Sequence, residues 1–380
     1  MTAALPHDDL ADRWRAARPA RAALHLDSAA CGRSSTRVLE AVAQHARHEA
    51  ELGVAAEAAA EPLLQQGRSV LAGLVGMAAA DLAFTESASA SVRTLVDRWR
   101  LPAGTRIGLL PGEYWHNAAV FADRGLVPAP LPADPLGRAD LDGVERLLRD
   151  DPPALVHVTL VGSHRGVLQP GRELAALCRA AGVPLVLDVA QALGHVDCDL
   201  GADVAYAPAR KWLTGPRGVG VLVMRPSVTA QLTPVVPPSA YDDRGAGVDH
   251  ARWYESHDAH LAGRVGFTLA AGEHLAAGPD RVRERLAALG RATRERLDGR
   301  GGWSAVEPLG EPTAITTLRP PDGADVPATA ARLRTEHGVV VTAVGRERAP
   351  HELAGPVLRI SPHLDATLDD LDALARALAS

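Results

Sequence analysis

Apolar positions along the chain fall into two kinds of pattern. Short runs bounded by Gly or Pro alternate with longer stretches at helical spacing. Leu185, Val186 and Leu187 follow Gly182 and Pro184, which predicts a buried parallel strand. Further strands are predicted over Asp203 to Tyr206, at the segment ending in Phe84 and Thr85, in RIGLL from Arg106, and in ALVHVTLV from Ala154. Val38, Val42, Leu63, Leu64, Val70, Leu71 and Leu74 predict helix over 36–76. Shorter helices are predicted around Leu10 to Ala17 and from Ser91 onward. Val282, Leu286, Leu289 and Leu297 mark a long amphipathic helix. Strands at Ala314 to Leu318, Val339 to Thr342 and Val357 to Ile360 then alternate with helices. This alternation predicts an α/β protein. Residues 226–250 are rich in Pro, Gly, Asp and Ser and read as a long loop near a site or an interface.

The length of 380 residues and a hydrophobic share of 47% suit two domains sharing a large core. The larger is expected over 25–255, the smaller over 1–24 and 256–380. A dispersed net charge of −6 speaks against nucleic acid and membrane as partners. No apolar run reaches membrane length, and MTAALPHDDL has no apolar leader core, so a cytoplasmic protein is expected. Cys31, Cys178 and Cys198 lack metal spacing and form no disulfide framework. His45 and His48 lie one turn apart beside Glu49, but nothing accompanies them, so they read as a solvated helix face and no metal site is expected.

One residue changes this picture. Among 40 Lys and Arg residues, Lys211 is the sole lysine. A guanidinium stays protonated, whereas an amine can lose its proton and attack a carbonyl. Lys211 follows the strand ending near Tyr206, and Asp188 ends the strand before it. Open α/β sheets place ligands at such strand ends. A carboxylate and an amine presented to one crevice are what a pyridoxal phosphate (PLP) site requires.

The motif Asp188, Ala190, Gln191, Gly194, His195, followed by Lys211, Trp212, Gly215, Pro216, Gly218 and Gly220, resembles the cysteine-desulfurase-like class V enzymes of PLP fold-type I. The resemblance covers nearly the whole chain. It implies a fold-type I PLP-dependent transferase fold, with a mostly parallel seven-stranded sheet in the large domain and a smaller C-terminal α/β domain. By it, Lys211 holds the cofactor covalently, Asp188 pairs with the pyridine nitrogen and Gln191 bonds the phenolic oxygen. Ser87, Ala88 and Ser89 align with the phosphate loop, although its Gly and one Thr are missing. Arg210 stands where the family often has a phosphate-binding His, and Pro208 where it has Ser. Tyr114, with Trp115 as rival, takes the place of the ring-stacking aromatic. Ser163 stands where the family often has Asn, and His164 beside it, at a place open to the substrate, reads either as a polar contact or as a loop residue.

Ala30 and Cys31 end a segment that offers backbone amides to the substrate carboxylate in the family; that places Cys31 near the site by analogy, although a small core residue is the commoner role for such a cysteine. Arg359, in LRISPH, takes the place of the Arg that forks onto that carboxylate. The family completes each site across a homodimer, and His257 would be the contact to the partner's phosphate.

Desulfurases need a nucleophilic Cys before the final strand, and this sequence has none beyond Cys198. A persulfide route is therefore not expected. The stretch DRWRAARPARAALHLDSAACGR resembles the C–S lyases of actinobacterial ergothioneine biosynthesis. That resemblance implies a sulfur-containing amino-acid substrate, hercynylcysteine sulfoxide, and β-elimination to ergothioneine, pyruvate and ammonia. The alternatives are a class V epimerase, another PLP-dependent β-lyase, or a catalytically silent PLP-binding regulatory module.

Overall fold

The structure is a computed structural model that describes residues 4–235, 250–256 and 258–380. Its centre is a seven-stranded sheet. In spatial order the strands are Leu82–Thr85, Gly220–Met224, Val204–Pro208, Leu185–Asp188, Leu155–Thr159, Arg106–Leu109 and Val127–Pro130. From Val204–Pro208 to Val127–Pro130 all neighbours run parallel, and Gly220–Met224 is antiparallel to both of its neighbours. The predicted fold, including the mostly parallel sheet, is therefore the observed one.

The central strands read as continuous apolar runs because both faces are covered. Leu185 and Leu187 pack into one core cluster, and Val186 into the other. The second cluster is closed by the helix Ala88–Trp99 through Val92, Leu95, Val96 and Trp99.

The expected helix over 36–76 is two helices, Thr36–Leu52 and Ala55–Gly73. They break at Gly53, whose φ of 57° and ψ of −137° end the first. A helix over Leu261–Ala277 escaped the sequence reading. It packs on both of these helices and buries Ala262, Val265, Phe267, Ala270 and Ala271, so it lacks a polar face that would reveal a period. His45 corrects the reading of a solvated pair: it is buried in the first helix. Among the described residues no His, Cys, Asp and Glu group could hold a metal ion.

The second sheet has four strands in the order Thr342–Val344, Val357–Ile360, Thr316–Arg319 and Ser304–Ala305, all antiparallel. The strand expected over Val339 to Thr342 is split. Val339–Val340 pairs in parallel with Leu24–His25, and only Thr342–Val344 joins the sheet. Asp27 bridges to Ser361, so the N-terminal segment is sewn to the end of the strand that carries Arg359.

Candidate active site

A cavity of about 310 Å³ opens at the C-terminal ends of the parallel strands. Lys211 and Asp188 both line it, as do Ala30, Ser87, Ala88, Ser89, Tyr114, Ser163, Gln191, Arg210 and Arg359. Lys211 is half-buried on the wall, in the turn between the antiparallel strands Val204–Pro208 and Gly220–Met224. Burial lowers its amine to about 7; Asp188 opposes that shift, and Arg210, Arg359 and Arg348 reinforce it.

The turn that carries Lys211 is held from several sides. Gly32 donates its N–H to the Arg210 carbonyl at 2.7 Å. A Cβ on Gly32 would stand 2.2 Å from the Lys211 carbonyl oxygen, so only glycine lets this segment come so close. Trp212, 1% exposed, stacks on His195 at 3.7 Å between ring centroids and on His363 at 5.8 Å. Its indole N–H donates to Gln191 Oε1 at 3.0 Å. His195 receives the Ala314 N–H at 2.7 Å on Nε2, so its Nδ1 carries the proton donated to the Gln191 carbonyl at 2.9 Å. Burial lowers His195 to about 3, which keeps that ring neutral.

Asp188 accepts the Ala190 N–H at 2.8 Å on Oδ1 and the Asn117 amide at 2.9 Å on Oδ2. Asn117 also donates to Glu113 at 2.9 Å. Glu113 pairs with His157 at 2.9 Å, and His157 in turn meets the Tyr206 hydroxyl at 2.8 Å. Burial opposes charge on both Glu113 and His157, but their mutual attraction prevails, lowering the acid and raising the base. The pair is therefore a buried ion pair behind Asp188. Burial, then the negative charges of Asp188 and Glu113, hold the Tyr206 hydroxyl well above its usual range.

At the other end, Ser87 caps the helix Ala88–Trp99 by accepting the Ala90 N–H at 3.1 Å. The free N–H groups of that first turn and the helix dipole make a site for an anion. Arg210 and Arg217 line the same cavity.

Arg359 is 2% exposed. It donates to Asp27 Oδ1 at 2.9 Å and to the Ser163 carbonyl at 2.7 Å. Asp27 also accepts the Thr342 hydroxyl at 2.6 Å. Burial lowers Arg359, with Asp27 opposing.

The structure separates residues that the sequence left together. Tyr114 lines the cavity, whereas Trp115 is 44% exposed and lies outside its lining. His164 does not line the cavity; it is buried against Glu352 at 3.0 Å. Cys31 is half-buried and also off the wall, although Ala30 beside it is on it. Cys178 and Cys198 are buried, and burial raises both thiols. His257 lies outside the described residues.

Asn117, Asp27, Arg217 and Arg348 were not anticipated. Asn117 had a signal in its place one turn after Glu113; the arginines were hidden among many others.

The aminotransferase class-V family model matches residues 24–374. The chain is 52% identical over 376 residues to a probable hercynylcysteine sulfoxide lyase of Mycobacterium tuberculosis (strain CDC 1551 / Oshkosh), covering 98% of this chain and 94% of the relative. It is 31% identical over 386 residues to an isopenicillin N epimerase of Amycolatopsis lactamdurans, covering 94% of each. Among solved structures, an apo cysteine desulfurase from Thermococcus onnurineus NA1 has the same fold, with a TM-score of 0.84 at 21% identity over 100% of this chain and 98% of that one.

Proposed function

The chain belongs to the class-V aminotransferase family of PLP-dependent enzymes, and from that premise we propose that it is a carbon–sulfur lyase acting on hercynylcysteine sulfoxide. The products are ergothioneine, after reduction of the departing sulfur, with pyruvate and ammonia. The observation that carries this reading is a cavity wall that joins Lys211, Asp188 and Arg359 but bears no cysteine among the described residues.

The donor set fits PLP. The capped start of the helix Ala88–Trp99, with Arg210, would hold the phosphate. Asp188 would hold the proton on the pyridine nitrogen, Tyr114 would cover the ring, and Lys211 would carry the cofactor. Gln191 has one amide hydrogen committed to the Ala29 carbonyl at 2.8 Å, which leaves the other for a cofactor oxygen. When bound, PLP supplies an electron sink for the pair left by a departing α-proton.

Arg359 binds the α-carboxylate of the substrate and so fixes the Cα–H bond toward Lys211. The Lys211 amine, lowered to about 7, takes that proton near neutral pH. The Cβ–S bond then breaks with its electron pair moving to sulfur. A sulfenate leaves more readily than an alkyl thiolate because its charge is shared between sulfur and oxygen. Water hydrolyses the remaining three-carbon unit to pyruvate and ammonia. Two thiols from outside the site then reduce the sulfenic product to the thiol, leaving as a disulfide and releasing water.

A second reading, an amino-acid epimerase, draws on the relationship to isopenicillin N epimerase. Lys211 would then return its proton to the opposite face. Product analysis separates the two. Holoenzyme given hercynylcysteine sulfoxide should release pyruvate, and holoenzyme given cysteine should form no protein persulfide. Racemised substrate with no pyruvate would establish the epimerase instead.

We further propose a homodimer with shared sites, as the family resemblance implies. Among the described residues no helix is long and apolar enough to cross a membrane.

A further inference from the structure

The charges on the cavity wall are unequal. Arg210, Lys211, Arg217, Arg348 and Arg359 face a single lining carboxylate, Asp188. Arg359 is paired with Asp27. Arg210, Arg217 and Arg348 have no ion pair among the described residues.

Two of these three belong with the phosphate. Ala209 donates to the Val219 carbonyl at 3.0 Å, closing the turn that carries Arg210 and Arg217, and the two are near enough for Arg217 to lower Arg210. A Cβ on Gly220 would lie 3.0 Å from the Ser87 backbone, so this hairpin rests on the phosphate turn. A phosphate monoester carries a charge of about −1.5 to −2 near neutral pH, which matches two guanidiniums.

Arg348 stands elsewhere. It comes from the loop after Thr342–Val344 and lies 5.7 Å from the centroid of the Tyr114 ring. It is near enough to Lys211 and Arg359 to lower both. The loop is fastened in place. Glu352, four residues on, meets His164 at 3.0 Å and Arg165 at 2.6 Å. Its carboxylate occupies space that a Cβ on Gly112 or Gly137 would invade, at 2.0 and 2.4 Å. Arg348 is thus held at the cavity, over the Tyr114 ring, with no salt bridge among the described residues.

We propose that Arg348 forms a second carboxylate subsite, which selects substrates whose sulfur substituent carries a carboxylate of its own. The inference rests on the lyase reading above and names what that site recognises. Arg359 takes the α-carboxylate, and Arg210 and Arg217 the phosphate. The remaining anion must then sit at the far end of the substrate, beyond sulfur. A planar fork of donors suits a carboxylate in two-point contact. Glu352, His164 and Arg165 act as positioning residues for this subsite.

The test uses PLP-loaded enzyme and two thioethers of similar size, S-(2-carboxyethyl)-L-cysteine and S-propyl-L-cysteine, with binding read from the cofactor absorbance. Wild-type protein should prefer the carboxylated thioether by about 10- to 100-fold, as expected for a charge-assisted contact. Arg348→Met should bring the two affinities within about threefold, and Arg348→Lys should retain part of the preference. Equal affinities in wild type, or an undiminished preference in Arg348→Met, would overturn the subsite. No response of wild-type protein to either thioether would likewise overturn the subsite, whereas the lyase reading stands or falls separately, on pyruvate release from hercynylcysteine sulfoxide.

Discussion

Asn117 donates its amide to Asp188 Oδ2 at 2.9 Å and to Glu113 Oε1 at the same distance. The carboxylate that would face the cofactor is therefore braced through Asn117 by the buried Glu113–His157 pair. Asp188→Asn should still bind PLP but lose about 10²- to 10³-fold in kcat, because a fixed negative charge opposite developing charge is removed. Asn117→Ala should lose about 10-fold, the loss expected for one hydrogen bond to a charged group. Turnover at matched PLP content measures both, and near-normal kcat in Asp188→Asn would show the electron sink to be misassigned.

The Lys211 amine gives a pH dependence with a definite sign. Its value is lowered to about 7, so the neutral amine dominates above that pH and the ammonium below it. Only the neutral form attacks the cofactor aldehyde. Reconstitution of apoenzyme with PLP should therefore be fast and level above about pH 7 and fall about tenfold per unit below it. Stopped-flow absorbance measures the rate. A midpoint near the ordinary lysine value would contradict the burial argument.

Trp212 should carry stability as well as geometry. It is 1% exposed, stacked between two histidines and bonded to Gln191. Trp212→Ala should cost about 3–5 kcal/mol, and Trp212→Phe, which loses mainly the hydrogen bond, about 1 kcal/mol. Denaturant unfolding of apoenzyme measures these. PLP affinity should fall with Trp212→Ala, since Lys211 adjoins the cavity left behind.

Much of this was legible in the sequence because the chemistry is rare there. A sole lysine, an aspartate closing an apolar run, and RISPH around Arg359 each stand out against their surroundings. Tyr114 and Trp115 could not be separated, because a helix beginning at Trp115 decides which ring lines the cavity. His164 adjoins the site in sequence, but Glu352, 188 positions away, holds it against the loop. Arg348 was hidden by the same arginine-rich composition that exposed Lys211. His45 sits on a helix whose inward face is set by Leu261–Ala277, itself unreadable because small residues bury on nearly every side.

No thiol should be needed for elimination. Cys31 lies off the cavity wall, and Cys178 and Cys198 are buried with raised pKa values. Cys31→Ser combined with Cys178→Ala and Cys198→Ala should keep pyruvate release within about threefold of wild type at equal folded, PLP-loaded protein. Loss of elimination in that protein would implicate Cys31 and restore a desulfurase-type route.

The central claim is that Lys211 takes the α-proton and so drives cleavage of the C–S bond. Pyruvate release from hercynylcysteine sulfoxide by wild type and by Lys211→Arg, at matched PLP content, tests it most directly. The account predicts one pyruvate per substrate consumed by wild type and a loss of about 10³-fold or more in Lys211→Arg, where charge is kept but the transferable proton site is gone. No pyruvate from wild-type holoenzyme, or undiminished turnover by Lys211→Arg, would contradict it.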